Sequence, residues 1–182
     1  MVASSTLLVW SLAALLLFWA IGAYNRLVRL RAQAIAAFVT LEQALAGLPV
    51  LLEANFFQPF AEATLPELLR RELMDACKRF ADALRLARAA PLAANAVADL
   101  DKAYQDLGST RAKLSAFRDD LNTPDVLVTV QANWNQIDSL VQVARADFNR
   151  RVQLYNDAIG QFPALLVASA VGLKPGQTLS SV

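Results

Sequence analysis

The residues best equipped to do chemistry are three aromatic–asparagine pairs: Tyr24-Asn25, Phe148-Asn149 and Tyr155-Asn156. An Asn carboxamide carries two N–H donors and an acceptor oxygen, and once buried it must find partners for them. Asn149 and Asn156 are seven residues apart and share a helix face. If the chain runs up and down through four long helices, the end of the last helix lies beside the start of the first. Tyr155-Asn156 then stands level with Tyr24-Asn25. This predicts a polar cluster of Asn25, Asn149 and Asn156 flanked by Tyr24 and Tyr155. Such a cluster either fixes helix register or holds a small ligand, and register is the simpler use.

Other chemistry is scarce. The 182 residues include no histidine, which removes the commonest general base and metal ligand. The one cysteine, Cys77, sits in a helical pattern (ELMDACKRFADAL) and reads as a small core residue rather than a nucleophile. One cysteine forms no intramolecular disulfide and no thiolate metal site. There is no phosphate-binding glycine loop and no nucleophile elbow. Asp119-Asp120 and the Glu67/Glu72 pair read as surface acids. No catalytic residue, cofactor or metal is expected. A net charge of +1 gives no reason to expect nucleic acid as a partner.

Positioning falls to helices. The apolar fraction is 56%, and its excess lies at the N-terminus. Met1 to Ala23 carries no charged side chain, and Thr6–Ala23 is continuously apolar or small. About 20 such residues cross a bilayer core, so a transmembrane anchor over residues 1–23 is expected. A cleaved signal peptide is the alternative, with Ala20-Ile21-Gly22 a passable cleavage pattern. The long apolar run and the lack of a preceding positive charge favour the uncleaved anchor. Trp19 and Tyr24 suit the aromatic belt at the membrane interface. Arg26, Arg29 and Arg31 follow at once, and no Lys or Arg precedes the span. The positive-inside rule then puts a short N-terminus outside and the main domain in the cytoplasm.

Residues 24–163 read as an elongated antiparallel bundle. Leu27, Leu30, Ala34, Ala37, Leu41, Ala44 and Leu48 recur at alternating spacings of three and four, with Val28, Ile35, Phe38 and Leu45 widening the stripe. Nothing but Gly22 separates this helix from the membrane span, so the two read as one, with a kink at Gly47 and Pro49. Phe56, Phe57 and Phe60 are expected to cover the far end of the core, with a partner-binding patch as the alternative. Thr64 and Glu67 form a capping box before a second helix, whose core side holds Leu69, Leu73, Cys77, Phe80, Leu84 and either Leu86 or Ala87. Its other side is basic: Arg70, Arg71, Lys78, Arg79, Arg85 and Arg88. That side reads as solvated, or as a landing surface for an acidic partner or lipid head groups. A third helix is predicted from Pro91, bent at Gly108. A fourth is capped by Thr123 with Pro124 at its first position and runs over Asp125–Ile159, about 50 Å long.

The tail, residues 164–182, begins with an uncharged run, Ala164–Leu173, too short to span a bilayer. With Pro163 turning the chain at the bilayer surface, this run is expected in the interface or against the foot of the bundle. Lys174 would then reach lipid phosphates.

At these residues the chain resembles the LemA family of bacterial membrane proteins. The resemblance rests on Tyr24-Asn-Arg-Leu-Val-Arg-Leu-Arg31 after an N-terminal membrane helix. It rests equally on Phe148-Asn149, Tyr155-Asn156, Phe162-Pro163 and the closing Gly172-Leu-Lys174-Pro175. The middle departs: the basic pair before Leu48-Pro49-Val50 is absent, and Asn55-Phe56-Phe57 replaces an acidic, histidine-containing stretch. The resemblance implies an all-α bundle at the bacterial cytoplasmic (inner) membrane and no catalytic residues. The expected function is a single-pass, non-enzymatic scaffold whose partners are the lipid bilayer and other membrane proteins. A homo-oligomer is compatible with the helix stripes. The rival readings are a lipid- or ligand-sensing module built on the Asn/Tyr cluster, and an enzyme with an acidic or cysteine-based site.

Overall fold

The computed structural model describes residues 2–56, 65–119 and 125–180. Six helices account for them: α1 (Val2–Leu45), α2 (Gly47–Phe56), α3 (Glu67–Ala89), α4 (Ala94–Asp119), α5 (Asp125–Gly160) and α6 (Ala164–Ala170). There is no strand among the described residues. The fold is all-α, as expected.

The apolar N-terminal segment and the first bundle helix are one element. α1 runs 44 residues without a break, through Gly22. From Val9 to Trp19 its large apolar side chains are exposed; from Leu27 onward one stripe is buried. This is the stretch of the described residues long and apolar enough to cross a membrane. Leu27, Ala34, Phe38, Leu41 and Leu45 lie inside, whereas Val28, expected on the same stripe, faces outward. The expected break is a single turn residue, Ala46, whose N–H still reaches Glu42 O at 2.8 Å. Pro49 falls within the first turn of α2, where its missing N–H costs no helical bond. Gly47 is needed for space: a Cβ there would stand 3.3 Å from the Ile137 side chain on α5.

The helices pack as two antiparallel pairs, α1 with α5 and α3 with α4. Phe38 and Phe148 meet edge to face across the first pair, centroids 5.6 Å apart. Phe80 and Tyr104 meet across the second at 6.1 Å. Between the pairs, the buried Glu42 carboxylate on α1 accepts from Nε of Arg88 on α3 at 2.6 Å. On α3 the buried face is Leu73, Ala76, Cys77, Phe80, Ala83, Leu84 and Ala87; Leu86 is exposed. The basic side of α3 is largely paired with nearby acids: Arg70 and Arg71 with Glu67, Arg85 with Asp82 and Arg88 with Glu42. Such pairing suits a solvated face better than a surface waiting for an acidic partner.

Two helix starts differ from expectation. α3 begins after Pro66 at its N-cap, with no side-chain cap; Thr64 lies outside the described residues, as do Phe57, Phe60, Thr123 and Pro124. α4 begins at Ala94, three residues beyond Pro91, and continues as helix through Gly108. Proline disfavours helical backbone at the residue before it, and Ala90 is extended (φ −142, ψ 71), so Pro91 sits in the turn rather than the helix.

Cys77 is buried on the core face of α3. Burial pushes its thiol above the ordinary range, and the Glu53 carboxylate adds to this. Fewer thiolates at neutral pH mean slow alkylation. Native protein should therefore react with iodoacetamide at least roughly tenfold more slowly than urea-unfolded protein. Equal rates would place Cys77 outside the core.

Candidate functional site: an asparagine clamp on the C-terminal strap

The predicted polar cluster divides. Asn149, Tyr155 and Asn156 come together on α5; Tyr24 and Asn25 do not join them and are exposed on α1. What satisfies the α5 amides is the chain's own C-terminus. Asn156 donates from Nδ2 to Gly176 O and accepts from Gly176 N, both at 2.8 Å. Asn149 donates to Leu179 O at 2.8 Å and accepts from Leu179 N at 2.9 Å. Tyr155 donates its hydroxyl to Lys174 O at 2.9 Å. Each carboxamide thus grips both backbone groups of one residue, as a neighbouring strand would.

The spacing follows from two helical repeats. Seven residues of α-helix rise about 10.5 Å. Three residues of extended chain cover about 10 Å. Asn149 and Asn156 are therefore in register with Leu179 and Gly176 of a strap running antiparallel to α5. The aromatic–asparagine dipeptide divides its labour between faces. Phe148 and Tyr155 are fully buried in the core, while the following Asn, a helix step further round, points at the strap.

The strap covers one end of the seam between α4 and α5, at Asp101, Asn149 and Asn156. α4 and α5 belong to different pairs; their buried apolar faces share one core, and polar contacts cross between them: Tyr104 Oη to Asp138 at 2.8 Å, Arg111 to Asp138, and Arg145 Nη2 to Asp101 at 3.3 Å. Arg145 is buried; its guanidinium lies 5.2 Å from the Tyr104 ring, and its Nε and Nη1 make no hydrogen bond. Burial, and then the Asp138 carboxylate, hold the Tyr104 phenol well above its ordinary range, so it stays a donor. Asp101 also accepts from Ser180 N at 3.3 Å and from the Ser180 hydroxyl, pinning the end of the strap to α4. Leu179 is buried in the main core. Gly176 has no room for a side chain: a Cβ there would meet Leu92 and Val152 at 3.2 Å.

The run before the strap forms a helix that the sequence reading did not resolve. α6 ends in a Schellman motif: Gly172 adopts φ +69, Gly172 N reaches Ser169 O at 3.3 Å, and Leu173 N reaches Ala168 O at 2.9 Å. Leu173 and Ala168 share a small core with Leu27, Tyr155, Ala158 and Ile159. α6 therefore sits against the foot of the bundle. The signal was present in a glycine closing an apolar run with proline soon after. Of the residues expected at a membrane interface, Trp19 is partly exposed, and Arg26, Arg29, Arg31 and Lys174 are exposed.

The amides are committed to the strap, which favours a structural use over a ligand site. Asn156→Ala should strip two partners from Gly176 and destabilise the fold by about 1–3 kcal/mol. Hydrogen exchange at Gly176 and Leu179 should accelerate together, with α1 and α3 keeping their protection. Asn25→Ala is the control and should stay within about 0.5 kcal/mol. Unchanged exchange at Gly176 in Asn156→Ala would contradict the clamp.

Comparison with known proteins finds no match among curated proteins and none among solved structures. The LemA family model matches residues 71–181, a stretch that holds both clamp asparagines and the strap. The chain belongs to the LemA family.

Proposed function

We propose that this chain is a single-pass membrane protein whose helical bundle serves, without catalysis, as an interaction module for other membrane proteins. The observation that carries the reading is α1. One helix holds an exposed apolar half and a half that forms the spine of the core. A bundle built on such a helix cannot swivel freely on its anchor, and it presents fixed faces at a fixed height above the bilayer. In this reading the bundle lies in the cytoplasm of a bacterial cell, on the strength of Arg26, Arg29 and Arg31.

The face best suited to a protein partner is the α4–α5 seam. A groove of about 380 Å³ there is lined by Tyr104, Gly108, Arg111, Trp134, Asp138 and Gln142. Arg111 lies 5.2 Å from the Trp134 ring. Aromatic and arginine side chains of this kind dominate the energetics of protein interfaces. A photo-crosslinking residue at Gln142 in the full chain, in its native membrane, should capture a reproducible partner. Gly108→Trp, whose Cβ meets nothing within 4 Å, should fill the groove and abolish that crosslink without lowering thermal stability. The same capture from the filled groove, or none from either, would contradict the reading.

A further inference from the structure

We propose that the cleft between α1 and α6 at the foot of the bundle binds one anionic phospholipid of the bilayer that α1 enters. The proposal rests on the membrane-anchored reading and goes beyond it, because it names a ligand and its site.

The first observation is shape. α6 packs against both α1 and α5 and leaves a cleft of about 330 Å³, lined by Trp19, Gly22, Arg26, Phe162, Pro163 and Ala164 among others. Gly22 holds the cleft open, with nothing within 4 Å of where a Cβ would stand. The walls are mostly apolar, with Gln161 among them, and the rim carries one cation, Arg26. Apolar walls with a single charged rim fit an amphipathic ligand: an acyl chain along Trp19 and Phe162, a phosphate at the guanidinium.

The second observation is what surrounds the cleft. Phe162 is 80% exposed, and Leu165, Leu166 and Val171 are exposed on the face of α6 turned away from the bundle. Phe162 and Trp19 line the same cleft, so this apolar face adjoins the exposed apolar half of α1. A bilayer covers both; a soluble partner would have to end where the lipid begins.

The third is charge. No Asp or Glu occurs before Glu42 or after Asp157, whereas Arg26, Arg29, Arg31 and Lys174 all fall in those two stretches. Among the described residues none of these four cations joins an ion pair, although most of the arginines higher in the bundle do. Four cations that share this end of the bundle with one exposed acid, Asp157, and pair with none are complementary to anionic head groups.

The test uses the full chain in nanodiscs of phosphatidylcholine with a minor fraction of phosphatidylglycerol, released into mild detergent for native mass spectrometry. Wild type should retain phosphatidylglycerol in preference to the more abundant phosphatidylcholine. Arg26→Gln should cut that retention roughly fivefold, the worth of one basic residue at an anionic surface. Ala164→Trp should fill the cleft and abolish it. Arg26 is exposed, so its variant folds even if the cleft-filling one does not. Wild-type retention no greater than the bulk lipid ratio, or equal retention in Arg26→Gln, overturns the site. If the chain then still resists carbonate extraction, the anchored reading stands without the site. Extraction by carbonate overturns both.

Discussion

The rest of the structure depends on the antiparallel seam between α1 and α5. It buries Leu27, Ala34, Phe38 and Leu41 on one side and Val141, Phe148, Val152 and Tyr155 on the other. Because α1 also carries the apolar N-terminal half, whatever fixes this seam fixes the bundle relative to that half. Burial of so many large side chains supplies most of the favourable free energy. It also sets register, since a slip of one residue on either helix would rotate polar side chains into the core. α2 prolongs the seam past Ala46, where Gly47 lets α5 approach closely.

The second helix pair meets the first in one shared apolar core, and polar ties add to that joint. Glu42 with Arg88 ties α1 to α3, and Asp101, Asp138, Tyr104, Arg111 and Arg145 tie α4 to α5. The C-terminal strap completes the joint, held by amide side chains that read backbone rather than side chain. Gly176, Leu179 and Ser180 are constrained by what they are, by lack of space, by burial and by a hydroxyl that bonds Asp101. Foot and strap are one construction. The Schellman turn at Gly172 ends α6 and aims Lys174 at Tyr155, from which the clamp begins.

Much of this was legible in the residues. Apolar spacing located the long helices and their core faces, and the uncharged N-terminal run located the candidate span. The importance of Asn149 and Asn156, and the heptad that places them on one face, was legible too. Their partner was not. An asparagine announces that it needs partners, but its side chain bonds equally well to a ligand, a second asparagine or a passing backbone. Only the fold decides which arrives. Asn25 shares the dipeptide yet meets no strap, so the motif alone overstated the cluster. The start of α4 was displaced by Pro91, where a turn outweighed the tolerance of a helix's first position for proline. Val28 follows the same period yet faces outward, because α1 at that level buries only the side that meets α5 and α6.

In the proposed reading, one unbroken helix carries the bundle out of the bilayer. The most direct measurement is the distance between nitroxides at Leu12 and Val39, both exposed on α1, in full-length Cys77→Ser protein in nanodiscs. Twenty-seven residues of α-helix separate them by about 40 Å. A narrow distribution centred there is the predicted result. A broad or markedly shorter distribution would show that the chain breaks at Gly22, and that the bundle moves independently of its anchor.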